Sequence, residues 1–276
     1  MQRWRTCLSA LAMGLLCTAP AVAQSAPSAP SASSSPPAQA RATSSDSMAK
    51  RMQACTTCHG AESSGGRTAN EVYFPRIAGK PAGYLYNQLL NFRDGRRHYG
   101  LMVGMVEHLG DAYLLEMAQY FSHLDVSYPP PAAVKAGTSP ATLVMGKSLV
   151  LQGDKARGIP ACVACHGAAL MGVAPALQPG LPAGSQAGFG SRPSMPALLG
   201  LPRDYLASQL GAWQTGLRRA HAPDCMGRIA KLLTAQDVDA LATWLASQPV
   251  PAQLNGGTKP ADSLPAPMPE TCGGVK

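Results

Sequence analysis

Cys55-Thr56-Thr57-Cys58-His59 lies in the first third of a 276-residue chain, and Cys162-Val163-Ala164-Cys165-His166 repeats its pattern 107 positions later. Two cysteines separated by two residues can each add across a vinyl group of one haem. The histidine that follows then lies beneath the iron as its proximal ligand. A single C-x-x-C-H is only moderately specific, since zinc sites use similar spacings. A structural zinc site would draw both cysteine pairs into one four-ligand cluster, whereas here each pair has its own flanking segments. The pattern therefore predicts two covalently bound haem c groups, one on Cys55 and Cys58, the other on Cys162 and Cys165. His59 and His166 are the proximal iron ligands.

The surroundings of the two motifs repeat as well. Pro75 to Gly79 is answered by Pro196 to Gly200, and Tyr84-Leu85-Tyr86-Asn87-Gln88-Leu89 by Tyr205-Leu206-Ala207-Ser208-Gln209-Leu210. Gly95-Arg96-Arg97 is answered by Gly216-Leu217-Arg218-Arg219, and Ala118 to Phe121 by Ala242 to Leu245. The offset grows from 107 residues at the cysteines to 121 at the tyrosines and 124 from the methionines onward. The second copy thus carries an insertion, residues 168–194, between its motif and its first long helix. A repeat of this length means two similar domains.

Helical spacing of apolar residues predicts helices over Met48–Ala54, Ala82–Arg93, from Asp111 through Leu124, and over Leu143–Leu151. Arg96–Val106 reads as an irregular, methionine-containing stretch. Residues 1–23 have the form of a secretory signal. Arg3 and Arg5 precede a short apolar run, and Ala21-Val22-Ala23 offers small residues for cleavage. Residues 24–46, nearly all Ser, Pro, Ala and Gln, form a flexible leader. The domains are then 47–125 and 141–248, joined by a linker over 126–140 stiffened by Pro129-Pro130-Pro131, and a Pro-rich tail covers 249–276. The formal charge of +8 becomes +6 without the signal. Four haem propionates would lower it to about +2 if all ionise. No Lys/Arg run points to nucleic acid. Aromatic content is only 5%, and a buried porphyrin supplies core that the side chains lack.

Soft thioether sulfur suits low-spin haem iron and raises its potential. The repeat selects the sixth ligands. Met102 lies seven residues before Leu109 and Met226 seven before Leu233, whereas Met105 is matched by Ile229. Met117 falls inside a helix and reads as core. His98, His108, His123 and His221 read as surface or packing residues. Cys225, beside Met226, has three open fates: a disulfide with Cys272, a free thiol, or an iron ligand. The Arg96-Arg97 and Arg218-Arg219 pairs can neutralise propionates, face an acidic partner, or lie on a solvated surface.

These motifs, in this order and twice over, resemble the diheme cytochrome c4 family. The likeness spans about residues 48–124 and 141–247. It implies an all-α chain of two tandem class I cytochrome c domains joined by the Pro-rich linker, each haem held by histidine and methionine: His59 with Met102, His166 with Met226. It implies an exported periplasmic electron carrier, moving one electron per haem from a cytochrome reductase complex or dehydrogenase to a terminal oxidase or reductase. That role needs no catalytic residue, no nucleic acid, and membrane contact only through partners. The alternatives are a diheme oxidoreductase, thiosulfate dehydrogenase-like or peroxidase-like, or the cytochrome subunit of a dehydrogenase complex. Thiosulfate dehydrogenases place a cysteine on the catalytic haem, which makes Cys225 the residue to watch.

Overall fold

A computed structural model describes residues 47–173, 194–251 and Cys272. The expected signal over 1–23, the leader over 24–46, most of the 168–194 insertion and all but a few residues of the tail lie outside the described residues.

The first half runs α1 (Met48–Arg51), α2 (Gln53–His59), a two-stranded antiparallel ribbon β1 (Gly66–Arg67) and β2 (Tyr73–Phe74), α3 (Ala82–Arg93), α4 (Gly100–Val106) and α5 (Asp111–Ser122). The second half runs α6 (Pro140–Leu151), α7 (Val163–His166), α8 (Arg203–Gln214), α9 (Cys225–Leu232) and α10 (Ala235–Ser247). Each motif histidine is the last residue of a short helix, and the glycine after it, Gly60 or Gly167, has positive φ. Here the absence of Cβ lets the chain turn back sharply beneath the histidine.

Each half builds its own core. In the first, α3 packs on α5, and Leu85, Tyr86, Leu90, Leu114, Leu115 and Phe121 fill the space between them. In the second, α6 crosses α10 with Leu149, Val150, Leu241 and Leu245 inside. Gly146 makes that crossing possible, because a Cβ there would lie 2.2 Å from the Ala240 carbonyl oxygen. Any side chain at 146 forces the two helices apart. Helix α6 starts at Pro140, earlier than the apolar pattern suggests. Ser139 caps it, accepting from the Thr142 amide at 3.1 Å, and proline suits the first turn because its missing N–H has no partner there anyway.

Two departures from the sequence expectation concern irregular stretches. Residues 100–106 are helical, not irregular. The linker, expected as a stiff spacer, is fastened to both halves. Arg76, almost fully buried, donates to the Ala78, Ser127 and Val126 carbonyls and lies over the Tyr128 ring at 3.9 Å. Tyr128 is buried in the second core, and the Ala132 amide donates to the Ala246 carbonyl at 3.0 Å. Arg76 thus supplies donors to two backbone carbonyls just ahead of the proline run, Val126 and Ser127.

Candidate haem sites

In both halves the proximal histidine is set by the same local device. His59 is buried with Nδ1 2.7 Å from the Pro75 carbonyl oxygen, and His166 is buried with Nδ1 2.9 Å from the Pro196 carbonyl oxygen. A carbonyl only accepts, so Nδ1 carries the proton and Nε2 keeps its lone pair for a metal. Burial lowers the pKa of both rings, with the carbonyl bond opposing the shift and the nearby Arg97 or Arg218 cation adding to it. Burial thus favours the neutral imidazole, the form that ligates iron. The sequence comparison aligned Pro75 with Pro196 without giving either a role; the structure supplies it.

Cys162, Cys165, His166 and Met226 line one apolar cleft of the second half, whose empty volume is about 1070 Å³ including its open mouth. Leu149, Leu206, Leu233 and Leu245 form much of its wall. A polar orphan lies at the same cleft. Trp213 lines it, and among the described residues the buried Trp213 Nε1 finds no hydrogen-bond acceptor. An indole N–H is a donor only, so a buried one is costly until an acceptor arrives. An apolar cleft with two thiols, an imidazole and a thioether on its walls, and an unanswered donor at its side, fits a haem with its carboxylate-bearing edge. In the first half Met102 is half-buried and packs with Cys55 against the first core, while Met105 is 49% exposed. Met117 is buried in that core, as its place within α5 implied. His98, His108 and His123 are exposed. Among the described residues no three of His, Cys, Asp and Glu converge on a common point, so the two cysteine pairs form no zinc cluster.

Cys225, whose fate the sequence left open, is bonded to Cys272 with Cα atoms 5.5 Å apart. Its sulfur is thus committed to a disulfide.

The basic pairs meet each other across the boundary between the halves. Arg97 and Arg218 face one another in an antiparallel bridge flanked by His98 N–H to Leu217 O at 2.7 Å and Arg219 N–H to Arg96 O at 2.6 Å. Arg97 donates to Gln88 at 2.9 Å in its own half and to Gln209 at 2.7 Å in the other. Arg218 mirrors it, donating to Gln209 at 2.8 Å and across to Gln88 at 2.9 Å and Tyr84 at 3.2 Å. The arrangement has an approximate twofold relation at the 121-residue offset. Arg218 is buried and stacks 3.7 Å over the Trp213 ring; Arg97 lies 4.6 Å over Phe92. Burial and the Arg97 cation push the Arg218 guanidinium below its usual pKa. Burial alone would raise the Tyr84 phenol, but the Arg218, Arg97 and Lys80 cations bring it below its usual value. A solvated surface role for Arg218 is excluded by this burial. The tyrosine, glutamine and arginine that recur at one offset carried the signal of a shared interface.

No protein-family model matches the sequence. A thiosulfate dehydrogenase electron acceptor of Thiomonas intermedia is 34% identical over 205 residues, 74% of this chain and 83% of that protein. The solved structure of reduced recombinant cytochrome c4 from Pseudomonas stutzeri matches with 27% identity and a TM-score of 0.51, covering 72% of this chain and 95% of that one. A thiosulfate dehydrogenase from Marichromatium purpuratum matches with 30% identity and a TM-score of 0.53 over 71% of this chain, which spans only 36% of that longer chain. Repeated motifs, a neutral buried histidine under each, two helical cores and these relatives lead to one assignment: the chain belongs to the diheme cytochrome c4 family, an electron-carrying cytochrome with two covalently bound haem c groups.

Proposed function

We propose that His59 and Met102 ligate the first haem iron and His166 and Met226 the second, with thioether bonds from Cys55 and Cys58 and from Cys162 and Cys165. The observation that carries this reading is the single cleft on which Cys162, Cys165, His166 and Met226 all stand. Pairing of Cys225 with Cys272 supports methionine in the distal place, because it removes the neighbouring thiolate that a catalytic haem would use. Each haem, when bound, supplies a one-electron iron couple held at high potential by the thioether. The chain's own part is to keep the imidazoles neutral and oriented through the Pro75 and Pro196 carbonyls, to exclude water from the cleft, and to join the two sites through the Arg97–Arg218 interface. The cytochrome domains are residues 47–125 and 141–248, with 126–140 as the fastened linker.

The protein is exported by the signal over residues 1–23 and works in the periplasm as a relay, not as an enzyme. A thiosulfate dehydrogenase is its electron donor, a role supported by its similarity to the thiosulfate dehydrogenase electron acceptor of Thiomonas intermedia, and a terminal oxidase or reductase lies downstream. The test is to mix the oxidised protein with thiosulfate, alone and with catalytic amounts of a thiosulfate dehydrogenase, and to follow haem reduction optically. Rapid reduction only when the dehydrogenase is present is expected. Multiple-turnover oxidation of thiosulfate by this chain alone, with an artificial acceptor, would contradict the relay.

A further inference from the structure

The interface between the halves breaks its own symmetry at one cation. Lys80 is 7% exposed, lies in the first half just before α3, and lines the cleft of the second half together with Tyr84. At the 121-residue offset that relates Tyr84 to Tyr205 and Arg97 to Arg218, Lys80 corresponds to Leu201. Leu201 is buried in the second core and lines the same cleft. The first half therefore contributes a charge to the second haem's cleft for which the second half has only a hydrocarbon.

Lys80 joins Arg97 and Arg218 in a group of three cations, and among the described residues the ion pairs engage none of them with a carboxylate. Charges withdrawn from water need a counter-charge. The carboxylate-bearing group this cleft fits is the haem, and the unanswered Trp213 Nε1 lies on the same wall.

We propose that Lys80 is a cross-domain positioning residue for the second haem: it helps neutralise a propionate there and raises the reduction potential of that haem in particular. This rests on the reading that the cleft around Cys162, His166 and Met226 holds the haem. The sign follows from electrostatics. Ferric haem carries one more positive charge than ferrous haem, so a nearby cation disfavours the ferric form, and its field is stronger in a water-poor cleft than at a surface. Because Lys80 belongs to the first half, the second haem's potential depends on the two halves staying packed together.

The test is potentiometric titration, with optical detection, of the full-length diheme Lys80→Leu protein, which carries at this place the residue found in the second copy. The two one-electron steps are assigned by repeating the titration in a Met102→His background, in which the first haem's spectrum is displaced. The second midpoint is expected to fall, the first to move less, and Lys80→Arg to restore the parent value. Lys80→Gln provides the neutral replacement should leucine at this place prevent folding. An unmoved second midpoint in the neutral variant overturns the proposal, as does an equal fall in both haems. The far-red absorbance band of methionine-ligated ferric haem separates the two readings. Its absence from the parent protein overturns the ligand assignment itself; its presence with an unmoved second midpoint overturns only the role of Lys80.

Discussion

Helix α4 of the first half and helix α9 of the second occupy matching places in the repeat and carry the two methionines proposed as distal ligands, Met102 and Met226, yet they are held differently. Around α4, Leu101 and Met105 are 62% and 49% exposed, Tyr99 is 43% exposed, and no side chain caps the helix. Helix α9 begins at Cys225, which is bonded to Cys272, and Asp224 caps it, accepting from the Gly227 amide at 2.8 Å and the Ala220 amide at 2.9 Å. Helix α4 is held by packing of its inner face; α9 is fastened by a covalent bond and the Asp224 cap. The difference shows that a repeated methionine position does not imply a repeated means of holding it. The second half differs further in the Val173–Met195 bridge at the ends of its insertion and in the Lys80 side chain that the first half adds to its cleft.

The comparison breaks most visibly at the ligands. Replacing Met102 or Met226 by His should remove one of two methionine–iron bands and lower that haem's midpoint by a sizeable share of the roughly 0.8 V that axial-ligand changes span. Met105→Leu should leave both bands and both midpoints in place; loss of a band in this variant would show that the repeat has selected the wrong methionine.

Next in size is the fastening of α9. Removing both partners, Cys225→Ser with Cys272→Ser, should cost about 2–4 kcal/mol in denaturant unfolding followed at the second haem. The ferric spectrum should be unchanged, because the sulfur lost is not on the iron. A changed ferric spectrum would mean that Cys225 had been a ligand, and unchanged stability would mean that α9 is held as α4 is.

The smallest effect concerns the last helix of each half. Thr234 and Asp237 form a capping box at the start of α10, and Arg157 binds the buried Asp237 carboxylate at 2.6 Å. In the first half Asp111 meets Arg93 at 2.5 Å, but its side chain is 53% exposed. The hydrogen bond from Arg157 holds Asp237 below the usual carboxylate range. The unfolded chain therefore binds more protons than the folded one between the two values, so this stability is present above the usual aspartate range and is lost as pH falls through the depressed folded value. Thr234→Ala should cost about 1 kcal/mol, and Asp237→Asn should flatten the acid limb of the second half's stability. Asp111→Asn should change stability by no more than about 0.5 kcal/mol, as exposed ion pairs do. Equal acid sensitivity of the two aspartates would remove this distinction between the halves.

Much of this organisation was legible in the chain. The motifs, α3 over Ala82–Arg93 and the start of α5 at Asp111 follow directly from spacing and apolar period. Aligning the copies separates Met102 from Met105; in the structure Met102 is half-buried and Met105 exposed, and the Met105→Leu variant decides between them. Helix α4 was missed because Gly100 and Gly104 have low helix propensity, and its formation depends on Val106 and Met102 packing inward. The linker's anchoring was missed because nothing near Arg76 in sequence announces its carbonyl partners, some 50 residues away. Lys80 was invisible for the same reason: its environment belongs to the other half of the molecule.

Both haems are proposed to be histidine–methionine centres on one chain. The most direct measurement is the far-red band of the fully oxidised, full-length protein, quantified against its haem content by pyridine haemochrome. This ligation predicts two haems per chain and band intensity for two methionine-ligated irons, half of it lost in Met226→His and the other half in Met102→His. Intensity for one iron or none in the parent protein would contradict it.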